Sequence, residues 1–394
     1  MPGKAASRSI QRLCIVAATA MAVCRLGSAQ ALPDPSPAAQ ASPSDVWVCA
    51  YYLNDNQAKD GRLPADQIDF HAISHIIHVG MYANGDGTVG PKGAVPLADC
   101  LNVIHKAHDA GCKALAIMGS DEGIDNLRHA LTDPVRPMLV RNLVQYIIIR
   151  GYDGIDLDME PLEDIDVPNY TKFVRELRAE LNYYNPKLLL TAAVASEPAM
   201  FGQLQDQFDR IDLMTYDLAG PWPGFKSWYN ASLYDGGSDK LNPKEPYPSA
   251  DGMAQAFMKA GVPAAKLGIG IAFYGYTWSG VSGPKQDITG LTNADVNDSS
   301  EYYDIMDKDF QPSRYHWDDG AKSAYLSIDS PDKKQRRFIS YDDETACAAK
   351  IDYVRKNHLG GVIIWELSGG YRPNQPEGQR DPLLQAVKKA WLLR

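Results

Sequence analysis

Asp153-Gly-Ile-Asp-Leu-Asp-Met-Glu160, written DGIDLDME, is the stretch on which the fold turns. Side chains alternate along a β-strand, so Asp156, Asp158 and Glu160 share one face while Ile155, Leu157 and Met159 share the other. An apolar face of that kind packs beneath helices, which leaves the acidic face pointing into a barrel. Carboxylates spaced about 6.6 Å apart along one strand cannot all ionise there, so at least one pKa must rise. A Glu kept protonated near neutral pH is ready to serve as a general acid. The same residues also fit a solvated surface strand, or oxygen ligands for Mg²⁺ or Ca²⁺.

Working outward, short apolar runs alternate with segments of helical period. Strands are expected at 46–52, 73–81, 113–118, 154–159, 188–194, 211–215, 267–273 and 361–365. Helices are expected between most of them, including 97–110, 138–150, 170–183 and 344–357, with a last one at 382–393. Strands joined by crossover helices form a parallel sheet, and this number of them favours a closed (β/α)8 TIM barrel over an open sheet. One connection breaks the rhythm. Residues 274–360 separate the last two strands and hold strand-like pieces at 323–328 and 337–341. A small α+β insertion at about 279–342 is expected, rising from the rim where barrel active sites sit.

The N-terminus reads as an export signal. Lys4, Arg8 and Arg12 precede a short apolar run at 13–24, and Ala29-Gln30-Ala31 fits a small-x-small cleavage site. A signal peptide is therefore expected at 1–31, a Pro/Ala/Ser-rich linker at 32–45 and the barrel at 46–394, which makes the mature protein secreted. The net charge of −10, from 39 Lys plus Arg against 49 Asp plus Glu, disfavours nucleic acid and anionic membranes as partners. Neither a CxxC pair nor a Cys/His cluster of zinc spacing occurs, so no metal or cofactor is expected. Cys49, Cys100, Cys112 and Cys347 are expected to be buried thiols rather than a disulfide framework.

DGIDLDME matches the DxxDxDxE signature of glycoside hydrolase family 18, the chitinases and their relatives. Met214-Thr-Tyr-Asp217 resembles the family's Met-x-Tyr-Asp motif, followed by Gly220-Pro-Trp222 and Trp228-Tyr-Asn230. Gly270-Ile-Ala-Phe-Tyr-Gly275, Ser340-Tyr-Asp-Asp343 and Gly360-Gly-Val-Ile-Ile-Trp365 resemble its later motifs in the same order. The resemblance implies a retaining, substrate-assisted chitinase acting on chitin or N-acetylglucosamine oligosaccharides, expected to be a monomer. It implies Glu160 as the acid, Asp158 on the acetamide N–H, and Asp156 sharing a proton with Asp158. Tyr216 would bind the acetamido group, Asp217 would orient sugar and acid, and Trp365 would form an apolar floor. Met214, Tyr52, Trp222, Trp228 and Tyr274 join Trp365 as expected substrate-binding residues, while Trp278 and Trp317 are further candidates for outer subsites.

Three positions depart from the family pattern. Met118-Gly-Ser-Asp-Glu-Gly123 replaces a Ser-x-Gly-Gly run, Tyr276 stands where relatives often have Arg, and Glu366 directly follows Trp365. The rival functions are an endo-β-N-acetylglucosaminidase on glycoprotein glycans and a non-catalytic chitin-binding lectin on the same barrel. An intact Glu160 argues against the second.

Overall fold

The computed structural model describes residues 46–53, 62–79, 81–91, 97–119, 124–237, 240–242 and 244–392; the expected leader and linker lie outside them. The barrel strands are β1 (Trp47–Leu53), β2 (His75–Val79), β3 (Lys113–Gly119), β4 (Gly154–Asp158), β5 (Leu189–Val194), β6 (Arg210–Leu213), β7 (Leu267–Ala272) and β8 (Gly361–Trp365). Each pairs in parallel with the next, and β8 returns to β1 from Trp47↔Gly361 to Ala50↔Ile364. The sheet closes into the (β/α)8 barrel that the alternating pattern predicts.

Alternation along each strand sorts the core into two layers. Val48, Ala50 and Tyr52 of β1 face outward, with Ile155 and Leu157 of β4 and Ile269 and Ile271 of β7. They pack under helices such as α1 (Arg136–Arg150) and α2 (Val167–Tyr184), through Leu143, Ile147, Phe173 and Leu177. Trp47, Cys49 and Tyr51 face inward, with Ile117 of β3, Ala193 of β5 and Ile363 of β8. At the barrel floor Gly361 lets β8 approach β1, because a Cβ there would lie 2.3 Å from the Trp47 carbonyl oxygen. No residue but glycine fits that seam.

Three boundaries differ from expectation. The second strand stops at Val79, and Met81–Ala83 forms a separate strand folding back on Val89–Pro91. The reversal comes from Asn84-Gly-Asp-Gly87, where Gly87 has φ +81°. The sixth strand stops at Leu213, because the Thr215 hydroxyl accepts from Gly270 N at 2.8 Å in place of ladder pairing. The insertion sheet begins earlier than residue 279. Tyr274–Ser279 is its first strand, one residue beyond β7, and it pairs antiparallel with Arg337–Tyr341. The strand order in this five-stranded sheet is Val296–Glu301, Tyr274–Ser279, Arg337–Tyr341, Ser323–Ile328, Tyr315–Asp318.

The root of the insertion is fastened by a buried ion pair. Asp342 follows the strand Arg337–Tyr341, and its carboxylate accepts from Ala272 N at 3.0 Å and meets Lys350 Nζ at 2.5 Å. Lys350 lies on α3 (Glu344–Lys356), whose first turn is capped by Asp343 through Ala346 N at 2.8 Å. Both partners of the pair are buried. All four cysteines among the described residues are buried and unpaired. No helix among those residues is long and apolar enough to cross a membrane.

Removing one partner from a buried pair leaves an uncompensated charge. Lys350→Ala is expected to destabilise the fold by about 3–5 kcal/mol. The measurement is the urea midpoint at unchanged slope, and an unmoved midpoint would mean that Asp342 is neutral and needs no counter-charge.

Candidate active site

The acidic face of β4 rises through the barrel toward its C-terminal mouth. Asp156 is the deepest of the three and has no exposed surface. Tyr51, across the interior on β1, donates its hydroxyl to Asp156 Oδ2 at 2.8 Å, and the Thr191 hydroxyl on the neighbouring β5 donates to Oδ1. Burial pushes the Asp156 carboxyl up to about 6 despite the opposing pull of the two hydroxyls. Deeper still, Asp212 of β6 accepts from Trp47 Nε1 at 3.2 Å, and Arg210 lies over the Trp47 ring at 4.3 Å. Burial raises Asp212 to about 7, with the charge of Asp156 adding to the effect and Arg210 opposing it.

Above this floor lies a pocket of about 250 Å³. Asp158 and Glu160 line one side, Tyr216, Asp217 and Tyr274 another, and Tyr51, Met214, Ala195 and Trp365 supply the rest. Tyr51 and Trp365 meet with ring centroids 5.1 Å apart, tilted by 54°, so the apolar part is built from two aromatic faces. Among the described residues no Lys, Arg or His lines it. Glu160 sits at the mouth and keeps some contact with solvent, yet its carboxyl is raised, first by partial burial and then by the charge of Asp217.

Each wall has a local cause. The Tyr216 ring fills space left by Gly270 of β7, where a Cβ would lie 2.6 Å from it. Among the described residues no partner meets the buried Tyr216 hydroxyl. Asp217 has φ +56°, and its amide donates to Asn230 Oδ1 at 2.9 Å. Tyr274 donates its hydroxyl to Asp217 Oδ1 at 2.5 Å. The segment after Glu160 is held by Arg128, which bonds Asp166 through Nε at 2.8 Å and Nη2 at 3.0 Å. Ser196 donates to the Leu162 carbonyl at 2.9 Å in the same segment.

Of the residues singled out in the sequence, Asp158, Glu160, Tyr216, Asp217, Met214, Tyr274 and Trp365 meet at the pocket, with Asp156 directly beneath. Tyr52 does not. It points outward from β1 and donates to the Leu63 carbonyl at 2.7 Å, while its neighbour Tyr51 faces the pocket. Parity along β1 was the available signal, since Cys49 and Tyr51 fall on the face opposite the outward set. Trp228 is fully buried, stacked on Tyr247 at 4.4 Å, with Nε1 donating to the Pro248 carbonyl at 2.9 Å. It has no face left for a ligand. Trp278 is likewise buried in that cluster. Trp222 is exposed on the loop after β6, edge-on to Phe225 at 5.1 Å and outside the pocket lining. Trp317 is partly exposed on the insertion, its Nε1 3.3 Å from Asp319. Glu366 turns away from the pocket to cap Leu367–Gly370 through Ser368 N at 3.2 Å. Of the departing run at 118–123, residues 120–123 lie outside the described set.

The family model for glycosyl hydrolases family 18 matches residues 47–370. Chitinase A1 of Niallia circulans is 31% identical over 269 residues, covering 61% of this chain and 38% of that protein. Endochitinase 1 of Metarhizium robertsii is 30% identical over 251 residues, covering 61% of this chain and 57% of that protein. The matched part therefore spans between 38% and 57% of these relatives' lengths. The Group IV chitinase of Ostrinia furnacalis shares the fold, with a TM-score of 0.75 at 22% identity over 88% of this chain and 100% of that one.

The electrostatics of the mouth give a test that needs no substrate. The Asp217 charge raises the Glu160 carboxyl, so in Asp217→Asn the Glu160 carboxyl is expected to titrate lower than in the wild type. Carboxyl ¹³C NMR of Glu160 across pH reads this directly, and an unmoved titration would remove Asp217 as the source.

Proposed function

The chain belongs to family 18 of the glycosyl hydrolases, and from that premise we propose that it is a chitinase, cleaving β-1,4 links between N-acetylglucosamine units with retention and with help from the substrate's own acetamido group. The observation that carries this reading is the pocket itself. Three carboxyls and a buried phenol that meets no partner among the described residues face an aromatic and thioether wall in a space suited to one hexosamine ring.

Glu160 is the acid. Its pKa is raised by burial and by the Asp217 charge, which favours the protonated form that the glycosidic oxygen requires. An ordinary retaining pair needs a second carboxylate as nucleophile, and this family is an exception to that arrangement. The acetamido carbonyl attacks the anomeric carbon of its own ring while the C–O bond to the leaving sugar breaks. Asp158 accepts the acetamide N–H and stabilises the resulting oxazolinium cation. Asp156, held by Tyr51 and Thr191, shares a proton with Asp158, so the two titrate as a coupled pair. The Tyr216 hydroxyl donates to the acetamido oxygen, a partner it lacks among the described residues. Trp365 and Met214 take the apolar face of the ring and the methyl group. Water then opens the oxazolinium ion, with Glu160 as base. The leader read at 1–31 would deliver the enzyme outside the cytoplasm, where the polymer lies.

Wild type is expected to cleave N-acetylchitohexaose with β-anomeric products by NMR, and to leave cellohexaose, which has no acetamido group, intact. Glu160→Gln is expected to bind the chitin oligomer and lose activity by about 10²–10⁴-fold. Binding without cleavage by the wild type would instead indicate a lectin. Inactivity on chitin oligomers with release of N-glycans from glycoprotein would indicate the glycan-directed hydrolase.

A further inference from the structure

Asp217 stands in a backbone conformation that a residue with a Cβ rarely adopts, so something must hold it there. Its amide and that of Leu218 both bond Asn230, at Oδ1 (2.9 Å) and at the carbonyl oxygen (3.0 Å). Asn230 is fully buried, and its own amide donates to Ser340 Oγ at 2.9 Å. Ser340 lies in the insertion strand Arg337–Tyr341, directly opposite Tyr276. Two residues before Tyr276 on the same strand is Tyr274, whose phenol holds the Asp217 carboxylate. Both grips on Asp217, one on the backbone and one on the carboxylate, thus lead to the same pair of antiparallel insertion strands.

We propose that Asn230 and Ser340 are positioning residues, through which the insertion sheet sets the Asp217 carboxylate beside Glu160. The proposal rests on the chitinase reading of the pocket and gives the insertion a positioning role beyond the Tyr274 side chain that it supplies to the pocket. Neither residue reaches the pocket, so both act through Asp217. Among the described residues, the titratable groups facing Glu160 there are Asp158 from β4, Tyr216 and Asp217 from the segment after β6, Tyr274 from the insertion and Tyr51 from β1. Among them Asp217 is the charge that raises the acid. Loosening Asp217 therefore has a signature beyond lost activity, because the acid would ionise at lower pH.

The experiment measures kcat and KM on N-acetylchitohexaose across pH for wild type, Asn230→Ala, Ser340→Ala and Ser340→Thr, with thermal midpoints alongside. Asn230→Ala is expected to lower kcat by about 10- to 100-fold with little change in KM, and to move the alkaline limb of the kcat profile to lower pH. Ser340→Ala is expected to move both the same way by less, and Ser340→Thr, which keeps a hydroxyl, to restore them. Should Asn230→Ala fail to fold, the Ser340 pair carries the test. Loss of kcat with the alkaline limb unmoved, or no rescue by threonine, would overturn the proposal while leaving the chitinase reading intact. A wild type that does not cleave the oligomer would overturn both.

Discussion

Asp156 is buried at the centre of the barrel, and each of its carboxyl oxygens is met by a hydroxyl, Tyr51 from β1 and Thr191 from β5. A carboxyl in that position is tolerated only when hydrogen-bonded, and even then its charge is resisted. The rise from 3.8 to about 6 has a definite sign for stability. A carboxyl raised on folding favours the native state most below its unfolded pKa, and that contribution is lost as pH climbs through about 6. At neutral pH the group costs the fold on the order of 3 kcal/mol. The outward layer of Ile, Leu and Val beneath the helices offsets it. The column of acids is thus a burden on the fold, held because the wall around it is overdetermined.

That dependence runs both ways along the barrel axis. Below Asp156, the charge of Asp156 helps keep Asp212 near 7. Above it, the ring that donates to Asp156 also forms one face of the aromatic wall, since Tyr51 touches Trp365. One tyrosine therefore couples the protonation of the buried acid to the shape of the pocket. The rim is organised differently. Glu160 and Asp217 stand on segments beyond the strand ends and owe their placement to clamps, Arg128 and Ser196 on one side, Asn230 and Tyr274 on the other.

The barrel was legible because its strands are buried on both faces, so 188–194, 267–273 and 361–365 stand out as short apolar runs between segments of helical period. The acidic strand was legible because parity alone puts three carboxylates on one face. Tyr51 and Tyr52 show where this reading slips. Both are tyrosines and adjacent, so residue type cannot choose between them; only parity with Cys49 does, and it selects Tyr51. Trp228 was a different failure. Its burial depends on Tyr247 and on insertion residues such as Phe338, contacts that no local pattern in Gly220–Asn230 announces. The insertion began earlier than expected because Tyr274–Ser279 follows β7 almost without a break, so one apolar run serves two sheets.

The left-handed backbone at Asp217 also bears on how a protein like this changes over generations. Most side chains are excluded from φ +56° by the clash of Cβ with the carbonyl oxygen, and Asn and Gly are the usual exceptions. The replacement that the chain accepts most readily at this position is therefore asparagine, which preserves shape and hydrogen bonding while deleting the charge. On the proposed reading of the site, drift there passes almost silently through the fold and shows only in the chemistry. A lineage under selection for holding a sugar, and released from selection for cutting it, has an open route at this single codon.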